Sequence, residues 1–190
     1  MEPLAKKKTV VRASDSDQKL SEAIMYIAKK CSGDHLFGAV KLNKILFFAD
    51  FFSYVRHGEP VTGAEYMKQR NGPVPRRFIP VKEALVAQGR AKIEPRLFMN
   101  GFVQKRLVAL SEPDVSVFSA RDVDMIHEVI DFLRDATAEE VSSLSHDRAW
   151  KLAKTRETIP YSTGFVSDQE PADKTLSRAR EISRQHRWDG

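Results

Sequence analysis

The sequence predicts a mainly helical domain with a small antiparallel β-hairpin, an α+β fold whose helices pack around one central buried helix. Three observations carry this expectation. The run Leu36 to Arg56, LFGAVKLNKILFFADFFSYVR, is the densest apolar stretch of the 190 residues and contains no proline. It is too long for a strand, so it predicts a helix. Apolar residues recur at helical spacing on both sides of it, as in Leu20, Ala23, Ile24 and Ile27. Asn100-Gly101 separates two short strand-like runs, which is a hairpin signal.

The central helix deserves the closest reading because its apolar positions point in almost every direction. Val40, Leu42, Ile45, Leu46, Phe47, Phe48, Phe51, Phe52, Tyr54 and Val55 leave little room for a polar face. A helix of this kind is buried, in a core or in a membrane. Lys41, Asn43, Lys44 and Asp50 interrupt it too often for a span of about 20 apolar residues. It therefore reads as the centre of a soluble domain. Asn43 and Asp50 lie seven positions apart and share a face. A buried carboxylate must be paired or hydrogen-bonded. Asp50 is expected to anchor the fold, to Arg76 or Arg77 or to a backbone turn near Gly72. A catalytic acid is the weaker reading, since no partner carboxylate is visible.

Taken in order, residues 1–16 form a charged, aperiodic tail expected to be disordered. A helix is expected from a cap at Ser16 or Asp17, with Leu20, Ala23, Ile24, Ile27 and Ala28 facing inward and Gly33 ending it. Gly58 and Pro60 stop the central helix. Val61 to Tyr66 suits a short extended piece. Asn71-Gly72-Pro73 is a turn signal, because Gly72 can take a positive φ and Pro73 fixes the next φ. Pro75 is expected in the first turn of a helix, which runs to about Gln88 with Phe78, Val81, Leu85 and Val86 inward and Gly89 at its end. Ala91–Glu94 and Phe102–Leu110 are the hairpin arms. Helix, glycine and hairpin in that order make a winged-helix-like element, a layout shared by nucleic-acid readers and protein-binding domains. Ser119 or Asp122 caps the next helix, with Val123, Ile126, Val129, Ile130 and Leu133 as its core face. Thr137 and Glu140 form a capping box for another. A short helical piece begins in SHDRAW, Ser145 to Trp150, and Ile159-Pro160-Tyr161 closes a body spanning 17–165. Residues 166–190 are a basic C-terminal extension, weakly amphipathic over Pro171 to Gln185.

Charge is unevenly placed. The net +5 is exceeded by the +3 in residues 1–12 and the +3 in residues 174–190 together, leaving a near-neutral body. Within that body, Lys68 to Arg106 holds ten basic and two acidic residues, and Glu112 to Asp147 holds ten acidic and two basic ones. These thirds either pack together, form solvated faces or recognise partners of opposite sign. The one cysteine, Cys31, excludes an internal disulfide framework and suits a reducing compartment. The N-terminal residues lack the apolar core of a signal peptide, so the expected location is the cytoplasm.

Catalytic and metal motifs are missing: there is no P-loop, GxGxxG, HExxH or paired cysteines. His35, His57, His127, His146 and His186 show no ligand spacing. His146, one helical turn before Trp150, is expected to pack on the indole or hold a backbone carbonyl. No enzyme activity, cofactor or metal is expected.

The order of motifs then becomes informative. Lys41-Leu42-Asn43-Lys44, Phe48-Ala49-Asp50, Gly63, Tyr66, Gly72-Pro73-Val74-Pro75, His146 and Trp150 follow one another as in the Panacea domain, the SocA-like antitoxin domain of bacterial and phage toxin–antitoxin systems. The resemblance covers roughly residues 17 to 185. It implies a mainly helical fold with a small β element. It also implies an antitoxin that neutralises a separate, usually neighbouring, toxin by direct protein–protein binding, with delivery of the toxin to a protease as a further role. Lys41, Asn43, Lys44, Asp50, Gly63, Tyr66, Gly72, Pro73, Val74, Pro75, His146 and Trp150 would be the family-motif residues.

The alternative is a winged-helix-like nucleic-acid-binding regulator, such as an autorepressor of its own operon, resting on the hairpin and on Arg76 and Arg77. Against it, the helix before the hairpin has few residues suited to base edges, and basic tails alone give only unspecific binding. Specific nucleic acid and membrane are therefore not expected as partners, and the oligomeric state stays open. Arg76, Arg77, Arg178, Arg184 and Trp188 are the candidate partner-binding residues, with Trp188 as an interface anchor.

Overall fold

The structure is a computed structural model and describes residues 13–98, 101, 103–146 and 148–165. Helix α1 is Ala13–Lys30 and α2 is Ala39–His57. A short hairpin follows, β1 Tyr66–Gln69 and β2 Gly72–Pro75, then α3 Phe78–Ala87. The longer hairpin is β3 Ala91–Leu97 and β4 Val103–Ala109. Helices α4 Ala120–Phe132, α5 Ala138–Leu144 and α6 Arg148–Leu152 lead to β5 Thr158–Ile159.

The predicted class holds: helices surround α2, and the described chain adds small antiparallel sheets. Leu42, Ile45, Leu46, Phe47, Phe48 and Phe51 of α2 are buried against Leu20, Ala23, Ile24 and Ile27 of α1 and Met125, Ile126 and Val129 of α4. Aromatic rings continue the core, with Phe47 and Phe51 edge-on to Tyr66 and Phe51 against Tyr161. Gly58 caps α2 at φ 79° and donates its N–H to Tyr54 O. Thr137 forms the expected capping box with Glu140, and Ser119, one of the two caps expected for α4, forms a second one with Asp122.

Several elements depart from expectation. Helix α1 starts at Ala13, ahead of the cap expected at Ser16 or Asp17, so residues 13–16 are helical and not part of a tail. Extended structure begins only at Tyr66, not at Val61. Pro75 ends strand β2 opposite Tyr66 and does not open α3. A proline tolerates a strand terminus because its missing N–H costs nothing where no ladder bond is needed. Val86 of α3 is 39% exposed, while Phe78, Val81 and Leu85 are buried. A three-stranded sheet ordered β2-β1-β5 was not foreseen. It forms because Tyr66 and Met67 pair with Ile159 and Thr158, about ninety residues away in sequence.

The helix α3, Gly89 at φ 68° and the hairpin β3–β4 do make the winged-helix-like unit. Among the described residues the opposed charged thirds form no ion pair with each other. The basic third is met by Asp17, Glu22 and Glu65, and the acidic third by Lys19, Lys29 and Arg56. Charge segregation in sequence is thus absorbed largely by α1 and α2.

The β1–β2 turn shows why a glycine is needed. Gly72 has φ 98°, and a Cβ there would lie 2.2 Å from Lys44 Nζ and 2.5 Å from Ser145 Oγ. Gly72→Ala is expected to cost at least about 2 kcal/mol, from left-handed strain and the displaced amine together. Urea unfolding of the variant checks this, and an unchanged midpoint would contradict it.

Candidate functional site

The polar residues of α2 each have a separate task. Asp50 is fully buried. Its Oδ1 accepts Thr62 N–H at 2.6 Å, and its Oδ2 accepts the hydroxyls of Thr62 at 2.6 Å and Tyr66 at 2.8 Å. The Tyr161 hydroxyl lies 3.4 Å from Oδ2 and donates to Ala64 O. Neither Arg76 nor Arg77 reaches it: Arg76 pairs with Glu65 at 2.9 Å and Arg77 with Asp17 at 2.8 Å. The Asp50 anchor therefore exists, but on hydroxyls and one amide. Gly63, at φ 70°, turns the chain between Thr62 and Ala64. Burial pushes the Asp50 carboxyl up to about 6, against the lowering effect of the Thr62 and Tyr66 hydrogen bonds. The same burial, with Asp50 beside them, raises Tyr66 and Tyr161 well above the ordinary phenol range.

Lys41 and Lys44, one turn apart, are each 1% exposed. Lys41 Nζ donates to Asp34 Oδ2 at 2.8 Å and to Arg134 O at 2.5 Å, tying α2 to the loops before it and after α4. Lys44 Nζ has one acceptor, Pro73 O at 3.3 Å. Desolvation alone lowers its ammonium to about 7. Val74, half-buried, and Pro75 complete the strand that packs on this face. Asn43 Nδ2 donates to Ala39 O at 2.8 Å.

His146 and Trp150 stack at 3.7 Å between centroids with planes 9° apart, the expected pair, although His146 precedes α6 and the two do not share a helical turn. Trp150 Nε1 donates to Gln69 O at 3.2 Å, and Lys68 Nζ sits 4.1 Å over the indole while donating to Ala153 O. This fastens α6 to the β1–β2 hairpin. Ser145, fully buried, donates to Ser142 O at 2.8 Å beside Gly72.

The structure thus gathers Lys44, Gly72 and Pro73 in one place and Asp50, Tyr66 and the Gly63 turn in another. Lys41, Asn43, Val74, Pro75, His146 and Trp150 lie around them. Arg76 and Arg77 stand apart on exposed ion pairs, and Arg178, Arg184 and Trp188 lie outside the described residues. Thr62, Ser145 and Tyr161 were missed as site residues. Thr62-Gly63 and Ile159-Pro160-Tyr161 carried a signal, since each puts a hydroxyl next to a chain-turning residue.

Residues 42–151 match the family described as antitoxin SocA-like, Panacea domain. That is more than half of the chain. The chain belongs to the Panacea-domain family. No curated protein and no solved structure matches it. The matched segment is shorter than the 17 to 185 the motifs suggested, leaving α1, Lys41 and Tyr161 outside it. All the other family-motif residues fall within it. Among the described residues, no helix is long and apolar enough to cross a membrane.

Two pH effects follow with opposite sign. The Asp50 carboxyl is raised from 3.8 to about 6. Its contribution is full below pH 4 and is lost as pH rises through 6, because the unfolded chain ionises first. Lys44 is lowered from 10.5 to about 7. The folded protein therefore releases that proton first, and stability rises from pH 7 toward 10. Urea midpoints between pH 7 and 10 should climb for the native chain and stay flatter for Lys44→Met. Asp50→Leu, which strands Thr62 and Tyr66 donors, should cost on the order of 3 kcal/mol at pH 7, read by the same unfolding experiment.

Proposed function

We propose that this protein is the antitoxin of a two-protein system and neutralises a separately encoded toxin by binding it directly. The observation that carries the reading is the match of residues 42–151 to an antitoxin domain. The geometry supports it. Asp50, Lys41 and Tyr66 are committed to internal hydrogen bonds that build a rigid body, which is what a pre-organised binding surface requires. The reading assigns the chain no catalytic step and places the pair in the cytoplasm. Delivery of the bound toxin to a protease is a second stage compatible with it. The C-terminal stretch Arg178 to Trp188 would extend the contact, with basic side chains steering an acidic surface and Trp188 as anchor.

The nucleic-acid reading gains nothing from the arginines that suggested it. Arg76 donates to Glu65, Thr158 and Arg156 O, and Arg77 to both oxygens of Asp17. Both start from partners that a phosphate would have to replace.

Co-expression with the neighbouring gene tests the proposal. Growth arrest by the neighbour alone should be relieved by this chain, and the two should co-purify. A harmless neighbour, or one that stays toxic in its presence, would sink the reading. Rescue that persists in a protease-deficient host would assign neutralisation to binding itself. Removing residues 174–190 should weaken toxin binding in calorimetry while the domain still folds. Equal affinity would leave the extension without that role.

A further inference from the structure

Two carboxamides in this fold, Asn43 buried and Gln104 half-buried, are only half used. Asn43 Nδ2 donates to Ala39 O at 2.8 Å, and Gln104 Nε2 donates to Leu36 O at 3.3 Å. Each bond fixes the orientation of its amide, because a flip would set oxygen against a carbonyl. The opposite atoms, Asn43 Oδ1 and Gln104 Oε1, are shielded from water and have no donor. An unmade hydrogen bond of this kind costs free energy in the unbound protein. Natural chains keep such costs mainly where function requires them.

Both residues line clefts, and the clefts adjoin. One, of about 230 Å³, has Asn43 and Lys44 on one wall and Arg70 and Asn71 of the β1–β2 turn on the other. The second, of about 120 Å³, lies between Gln104 and Lys105 of β4 and Ala138 of α5. Ala39 and Val40, in the first turn of α2, line both. The same turn lacks a side-chain cap, since Gly38 is the N-cap. Gly38 itself is held to glycine here by Gln104, whose side chain a Cβ would meet at 2.7 Å. The two half-used amides therefore flank one exposed ridge.

We infer that this ridge and its two clefts receive the protein partner, which supplies neutral amide donors from Asn or Gln side chains to Asn43 Oδ1 and Gln104 Oε1. The inference rests on the toxin-binding reading and gives that reading a face. The chemistry excludes charged groups in turn. A carboxylate entering either cleft would meet a bare oxygen. A lysine or arginine would meet the cations on the rims, Arg70 and Lys105, both exposed and without a hydrogen bond or ion pair among the described residues. A carboxamide meets neither obstacle. Its N–H reaches the bare oxygen, and its own oxygen can accept from Lys44 or from the uncapped N–H groups of α2. Clefts of this size admit side chains and not a main chain. The rim cations favour acidic residues around the inserted amides. Side-chain rotation at the rim, common on docking, opens the path to the two oxygens.

The test uses the full chain and the product of the neighbouring gene, with affinity from calorimetry and stability from thermal melts. Asn43→Leu and Gln104→Leu each remove a half-used amide, so melting should stay level or rise while toxin affinity drops by about 10-fold or more. Should either variant fold poorly, Arg70→Glu with Lys105→Glu probes the same face from exposed positions. This double variant should weaken binding at unchanged melting temperature. Hydrogen exchange of the complex should protect amides of residues 39–43. If the native chain binds the toxin but all these variants bind equally, this face is wrong and the antitoxin reading stands. If the native chain does not bind at all, both fall.

Discussion

A carboxylate with no exposure has to be solvated by protein, and Asp50 is solvated by groups that come from three separate parts of the chain. Thr62 belongs to the loop after α2, Tyr66 to the first residue of β1, and Tyr161 to the segment after β5. Thr62 and Tyr66 donate to it, the Tyr161 hydroxyl lies beside it, and none is a cation. Leaving any of them unmade would cost the full desolvation of a buried polar group. The carboxylate therefore dictates where the chain must turn after α2, where the small sheet begins, and where the last described segment closes. The sheet order β2-β1-β5 follows from it, because Tyr66 and Ile159 are opposite each other in the ladder while Tyr66 and Tyr161 share the same acid.

Lys44 works by the reverse logic. Its amine is as deeply buried as Asp50, yet desolvation is the one influence on its proton and Pro73 O its one acceptor. An amine in this condition sits close to neutral, and it can lie against Gly72 only because that residue has no side chain. Asp50 and Lys44 are six residues apart on one helix and do not pair. Each instead organises a different end of the β1–β2 hairpin, Asp50 at Tyr66 and Lys44 at Pro73.

Much of this was legible in sequence where the signal was periodic. The burial of α2 could be read from apolar residues in every direction, and the capping box at Thr137 from spacing alone. The His146–Trp150 stack was expected from a helical turn, but His146 lies ahead of α6, so the contact forms across the start of that helix. The Asp50 partners were misread because a buried acid suggests a cation, and Arg76 and Arg77 were the cations nearest in expectation. Threonine and tyrosine hydroxyls give no such signal until the fold brings them together. The β5 pairing was invisible because two residues carry no alternation. Pro75 was misplaced since the same fixed φ suits a helix start and a strand end. For the candidate docking face, the sequence held Asn43 as a motif residue. It gave no hint that Gln104, sixty-one positions later, would stand beside the same ridge.

The contrast between Asp50 and Asn43 separates structural from functional polarity on a single helix. They share a helical face by spacing, and both are buried. Every lone-pair direction that matters on Asp50 is met from inside the protein, so altering it should be felt in folding. Asn43 meets its own helix with its N–H and leaves its oxygen bare. If the position served only packing, leucine would do the same work without an unpaired acceptor. A chain that belongs to an antitoxin family and carries two such acceptors beside one exposed turn has a physical reason to keep them only when something else supplies the donors.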